Sequence, residues 1–395
     1  MKILYDSQVF DWQTVGGISR YFYELLSSFE TRDDIEYSLP IIYSNNVYLK
    51  QLGVLGQSIQ PITEPKNSYQ EFFWGKEFRL KPKLYTLKNK IFPEQVSLNP
   101  TKQNRELVIK ELRSGNFDIF HPTYYDPYFL EHIGDKPFVL TVYDLIHQIF
   151  PEFLLYESTD KNRELLTKAT KIIAISESTK RDLVHLFNID ENKIAVTHLA
   201  NSLGNFRSDI EDEFKRKIPG RYLLYVGSRG GYKNFLFFAQ VMASIFEKEE
   251  DLYVVCTGST FTEGEKFFFH KIGFQERFVQ VFVDDNELRY LYENAEAFVF
   301  PSQYEGFGLP VLESMSCGCP ALISASSSLI EIGEDAAVYF DPKSPSSMLA
   351  AIKSVLSDKR LRKEKIEKGH EQVKKFSWQK MFAQTVDVYN QVVVN

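Results

Sequence analysis

The chain has 395 residues, of which 44% are hydrophobic and 25% charged, and a formal net charge of −7. That length calls for two or three domains, and that composition excludes disordered, collagen-like and coiled-coil classes. The acidic balance argues against general nucleic-acid binding, and no run of 18 apolar residues offers a membrane-spanning helix.

The N-terminal run MKILYDSQVF is too short in apolar residues for a signal peptide, and Asp6 interrupts it, so a cytoplasmic protein is expected. KILYD reads as a strand, followed by a loop ending in Gly16-Gly17 and a helix over ISRYFYELLSSF. Ile18, Tyr21, Phe22, Leu25, Leu26 and Phe29 recur there at helical spacing. Strand, glycine loop and helix make the first step of a doubly wound α/β sheet. Further strand-like runs are YSLPIIY (37–43), DIFHP (118–122), PFVLTVYD (137–144), KIIAIS (171–176) and KIAVTHL (193–199). Ser176 and Ser178 precede a polar helix in N-cap fashion. Residues 200–220 are polar and contain Pro219-Gly220, which marks an interdomain linker.

A second alternation starts at 221. RYLLYVGS, DLYVVCTGS, FVQVFVD, AFVFPS, PALIS and AVYFDP read as strands, with helices between them. Asp284-Asp285 resembles a metal-binding pair, but Asp285 or Asn286 suits the N-cap of the helix that follows. The predicted class is therefore α/β, with two doubly wound domains over 1–203 and 204–376. Such sheets bind ligands at the carboxyl ends of their strands. FSWQKMFAQTVDVYNQVV, within 377–395, reads as a closing amphipathic helix.

Segment 76–90 carries six Lys/Arg and one acid, a local charge of +5 that leaves −12 for the rest. Aromatic and apolar residues interleave with the cations. A solvated helix pair and a surface that rests on an anionic membrane both fit that pattern. Cys256, Cys317 and Cys319 make neither a disulfide framework nor a zinc site and are expected to be small packing residues.

Chemistry concentrates in two stretches. In 298–319, FVFPSQYEGFGLPVLESMSCGC, a strand leads to Glu305, then Gly306-Phe307-Gly308, then a helix with Pro310 in its first turn. Glycines let backbone N–H groups approach a ligand, and a helix N-terminus favours phosphate. Glu313 is an acceptor-only carboxylate, able to receive both hydroxyls of a vicinal diol. In 222–234, YLLYVGSRGGYKN, Gly227 closes a strand, and Arg229 and Lys233 place cations in the turn, suited to a diphosphate leaving group. Neither a GxGxxG nor a Walker A spacing is present.

Glu305 and Glu313, with seven residues between them within YEGFGLPVLESMSCGCP, resemble the retaining glycosyltransferases of family 4. The resemblance extends to Gly16-Gly17, to AISESTKRDL (174–183), to YVGSRGGYKN and to FSWQKM, and so covers nearly the whole chain. It is nearest in kind to bacterial mannosyltransferases, the glycosyl transferases group 1 of O-antigen or capsule synthesis. It implies the GT-B fold, two facing Rossmann-like domains with a central cleft, with the last helix returning to the N-terminal domain. It implies that Glu305 contacts the donor sugar and that Glu313 binds the ribose. Lys233 and Arg229 would hold the pyrophosphate, together with N–H groups at Gly308-Leu309 and the Gly16-Gly17 loop, and Gly306 and Phe307 are counted among the substrate-binding residues. The family pattern has an arginine beside the lysine, where this chain has Tyr232. It has His-Asp where this chain has Tyr143-Asp144, so Asp144 is expected to orient the sugar or acceptor and either Tyr143 or His147 to take the histidine's role; His121, at a strand end near the expected cleft, is a further candidate for touching substrate. Cys256-Thr257-Gly258 and Phe282-Val283-Asp284, at strand ends, are expected to line the base pocket, and Gly227, which closes a strand, is counted among the substrate-binding residues.

The reaction so implied moves a hexose, with mannose from GDP-mannose as the leading choice, to a hydroxyl of a glycan or lipid-linked glycan. It retains anomeric configuration and needs neither a metal nor a further cofactor. UDP- or dTDP-sugar donors remain alternatives. A sugar-nucleotide epimerase and a non-catalytic sugar-nucleotide-binding subunit are the rival classes.

Overall fold

The computed structural model describes residues 1–30, 32–52, 59–62, 99–153, 159–203 and 210–394. The basic segment 76–90 lies outside the described residues. The chain divides into two compact units, Met1–Phe138 and Val139–Asn395. Among the described residues no helix is long and apolar enough to cross a membrane.

In the first unit, β1 (Lys2–Tyr5) lies between β2 (Glu36–Ser38) and β3 (Ile119–His121), all parallel. The helix Gly17–Phe29 buries Tyr21, Phe22, Leu25, Leu26 and Phe29, the face read from the spacing. Run 37–43 is mostly not strand: β2 stops at Ser38. Pro40 lacks the N–H that a ladder needs. Asp6, just past β1, is fully buried and receives the N–H of Thr123 at 2.8 Å, its hydroxyl at 2.7 Å and Gln8 Nε2 at 2.6 Å. This cluster ties the ends of β1 and β3 together.

The second unit holds two parallel sheets. One has the order β4 (Val139–Val142), β5 (Lys171–Ala174), β6 (Ile194–Val196). The closing helix Trp378–Val393 packs against β5, and Trp378 Nε1 donates to Ser202 Oγ at 2.7 Å.

The other sheet has six strands in the order β12 (Val338–Phe340), β11 (Ala321–Ser324), β10 (Ala297–Phe300), β7 (Tyr222–Tyr225), β8 (Tyr253–Thr257), β9 (Phe278–Val281). Its core includes Phe235, Phe238, Met242, Phe269, Val299 and Ile352, all essentially buried. The order reverses direction between β7 and β10, and ligands collect at such a switch point. Two expectations shift locally. The linker contains a helix, Asp212–Lys217. The N-cap of helix Asp285–Asn294 is Asp284, one residue earlier than read, because Glu287 completes a capping box with it.

Candidate active site

The site is built at the carboxyl ends of β7 and β10, the two strands flanking the switch point. After β7 the chain turns through Gly227, at φ +111°, into the short 3-10 turn Gly231–Lys233. After β10 it runs through Glu305 into the helix Leu309–Ser316. Gln303 N–H donates to Tyr232 O at 2.8 Å and fixes the two loops together.

Lys233 Nζ then meets both carboxylate oxygens of Glu305, at 2.7 and 2.9 Å. Burial alone would lower the lysine pKa, but the Glu305 charge outweighs it and holds the ammonium above its usual range. The same ammonium lies 5.1 Å from the Tyr232 ring centroid and 5.6 Å from that of Phe300.

Asp144, at the end of β4, belongs to the same cluster. A Cβ at Gly306 would stand 2.0 Å from Tyr143 O and 2.8 Å from Asp144 Cβ, so only glycine lets the two loops touch. Burial raises the Asp144 pKa, and Glu305 pushes the same way. The Ile146 N–H, His147 and Lys233 act against them. His147 is exposed on the helix Ile146–Ile149.

The turn 306–309 forms a row of donors. Residues 306–308 are buried, yet the N–H groups of Gly306, Phe307, Gly308 and Leu309 reach no acceptor among the described residues. Gly308, at φ +106°, has Leu329 where a Cβ would go. Free amides at a helix start, beside a lysine, form a receptor for an anion. One turn on, the half-buried Glu313 receives the Tyr292 hydroxyl at 3.1 Å. Tyr292 is fully buried, and burial followed by the Glu313 charge pushes its pKa far up, so it donates.

Arg229 goes elsewhere. Its Nε bonds Glu265 at 2.7 Å, and its Nη2 bonds the carbonyls of Ser259 and Thr260 at 2.7 and 2.9 Å. Its guanidinium also lies 4.8 Å from the Phe261 ring centroid. Nη1 is buried without a hydrogen-bond partner. The arginine lines a cavity of about 460 Å³ with Gly230, Gly231, Asn234 and Thr262. Burial would raise the Glu265 pKa, but the Arg229 hydrogen bond and those of Thr262 hold it below the usual range.

Gly258, at φ +98°, approaches Gly227 so closely that a Cβ would stand 3.2 Å from Gly227 O. Gln280 Nε2 donates to Gly258 O at 2.7 Å. Val283 follows Phe282, which is 69% exposed. In the first unit, Gly16 precedes the helix Gly17–Phe29. Gln13 Oε1 accepts the Ser19 N–H at 3.0 Å and fills the space a Cβ on Gly16 would need. His121 is fully buried beside Tyr5 and Phe22, and burial lowers its pKa to about 3, so the ring is neutral.

Sequence reading missed Tyr292, Glu265, Ser327 and Ser328. Tyr292 lay within a helix already recognised, and its orientation toward Glu313 depends on packing between two helices. The adjacent serines opening a helix after β11 were the one visible signal for the last pair.

An anion receptor with a lysine–glutamate pair on one side and a second carboxylate, Glu313, on the other suits a nucleoside diphosphate sugar. Comparison with known proteins agrees. The family of glycosyl transferases group 1 matches residues 207–372, and glycosyltransferase family 4 matches residues 72–200. The O-antigen chain mannosyltransferase B of Escherichia coli is 32% identical over 289 residues, covering 69% of this chain and 74% of that one. The O-antigen chain mannosyltransferase RfbU of Salmonella typhimurium is 26% identical over 222 residues, covering 53% of this chain and 56% of that one, less than two thirds of its length. Anabaena HepE, solved in complex with UDP and glucose, superposes with a TM-score of 0.67 at 14% identity over 99% of both chains.

The chain is a glycosyltransferase with the GT-B fold. It belongs to the family of the O-antigen mannosyltransferases.

Proposed function

We propose that the protein transfers mannose from GDP-mannose to a hydroxyl of a lipid-linked glycan, with retention of anomeric configuration and without a metal. The observation that carries this reading is the Lys233–Glu305 pair beside the free amides of 306–309. An incoming diphosphate gives Lys233 a new partner, and Glu305 is released to accept hydroxyls of the donor sugar. Negative charge grows on the departing diphosphate as the sugar becomes oxocarbenium-like. A fixed ammonium and preoriented N–H groups stabilise that charge. They stand where a divalent cation would otherwise act.

Glu313, held by Tyr292, takes the ribose diol. Gly258 and Val283 line the base, and Asp144 orients the sugar or the acceptor hydroxyl. The departing phosphate accepts the acceptor proton on the same face. The mannose and the glycan acceptor rest on likeness to the O-antigen enzymes of E. coli and Salmonella. The basic, aromatic segment 76–90 fits a protein that works on the cytoplasmic face of a membrane.

Thermal unfolding with GDP, UDP, dTDP and CMP and their sugar conjugates, each with EDTA, tests the reading. The GDP series should stabilise the chain despite EDTA, by about 2.7 kcal/mol at 100 times its Kd, and stabilisation by another series instead would overturn the GDP-mannose donor. Stabilisation by none would overturn the whole reading.

A further inference from the structure

Hydroxyls grip the donor turn from two sides. Ser328 Oγ lies 2.9 Å from both Glu305 O and Phe307 O. Ser176 Oγ donates to Gly306 O at 2.7 Å. Ser327 Oγ accepts the Glu305 N–H at 2.9 Å. In a trans peptide the carbonyl of one residue and the N–H of the next point in opposite directions. Holding the carbonyls of 305 and 307 toward Ser328 therefore turns the N–H groups of Gly306 and Gly308 to one common side. Both belong to glycines, so no Cβ stands beside either donor.

The grip is held by a strained backbone. Ser327 has φ +43°, a region that residues with side chains rarely adopt. Strain of this kind persists where the surroundings impose it, and it gathers at functional sites. Here the strained residue and its neighbour supply two of the hydroxyls that hold the turn.

We propose that Ser328, supported by Ser327, is a positioning residue for sugar transfer: it aims the Gly306 and Gly308 N–H groups together at oxygen atoms of the sugar diphosphate. The proposal rests on the transferase reading above.

The test uses the full chain labelled with ¹⁵N-glycine and titrated with GDP-mannose and with UDP-glucose, alongside turnover and melting. In the wild type the Gly306 and Gly308 amide signals should move on binding. In Ser328→Ala they should move markedly less, kcat should fall about tenfold or more, and affinity for the free nucleoside diphosphate, which offers the same oxygens, should fall with it. Ser327→Gly separates function from fold. Glycine fits φ +43°, so melting should hold or rise while kcat still falls about tenfold.

Wild-type amide movements and turnover in both variants would overturn the proposal and leave the transferase reading standing. So would a turnover loss confined to a misfolded Ser328→Ala, with full turnover in Ser327→Gly. If the wild type bound neither nucleotide sugar, the transferase reading itself would fail, and this proposal with it.

Discussion

Lys233 Nζ lies 2.7 Å from one carboxylate oxygen of Glu305 and 2.9 Å from the other, joining the turn after β7 to the turn after β10. The side chains are 17% and 10% exposed, so each charge depends on the other for much of its solvation. A ligand that offers both an anion and hydroxyls would satisfy the two groups separately.

Removing one partner leaves a largely buried charge alone. Lys233→Ala and Glu305→Ala should each destabilise the chain by about 1–3 kcal/mol and lower turnover by about 100-fold or more. The double variant Lys233→Met/Glu305→Gln should recover most of the stability and none of the turnover. Urea unfolding with a donor assay checks the pattern; full turnover in either single variant removes the pair from the chemistry.

Tyr292→Phe deletes only the hydroxyl that orients Glu313. Its loss should raise the donor KM about tenfold, the scale of one hydrogen bond to a charged group, and leave kcat nearly unchanged. A drop in kcat with KM unchanged would place Glu313 at the reacting centre rather than on the ribose.

The strands were legible because apolar runs bounded by glycine and polar residues have few other readings. Glu305, Lys233 and Asp144, singled out from strand-end position and family spacing, lie together in the structure, and Glu313 lies in the helix that follows. Arg229 shows the limit. Its partner Glu265 is 36 residues away, and no local pattern separates a cation that meets phosphate from one that staples two loops. Asp6 and Thr123, 117 residues apart, were hidden for the same reason. Asp284 took the cap from Asp285 because the choice turned on which carboxylate could exchange hydrogen bonds with Glu287.

Gly306→Ala tests the contact with Tyr143. Its Cβ would meet a backbone carbonyl at 2.0 Å, and a carbonyl has no rotamer with which to yield. Overpacking should cost about 3 kcal/mol or more, seen as a lower melting temperature or loss of soluble protein. Gly220→Ala, with nothing within 4 Å, should melt within a degree or two of the wild type, the scale of about 0.5 kcal/mol or less in a chain of this size. Equal melting for the two variants would mean that the loops at 143 and 306 do not touch in solution.

Asp11 gives the pH dependence of the first unit. Burial, opposed by hydrogen bonds from Asn104 and Ser7, raises its carboxyl to about 7 from the ordinary 3.8. Between those values the folded chain holds a proton that the unfolded chain has released. Its contribution to stability is fully present below about pH 4 and is lost as pH rises through 7. Asp11→Asn keeps the shape and has no proton to lose. The variant should therefore be more stable than the wild type at pH 7.5, and its advantage should shrink by about 1.4 kcal/mol per pH unit as pH falls from 7 toward 4. Urea unfolding of both proteins across that range measures the difference directly; groups far from Asp11 largely cancel in the comparison, and neighbouring Asp6, whose charge also raises the Asp11 pKa, is the one that does not. A difference that stayed flat with pH would mean that Asp11 titrates as an ordinary exposed carboxylate.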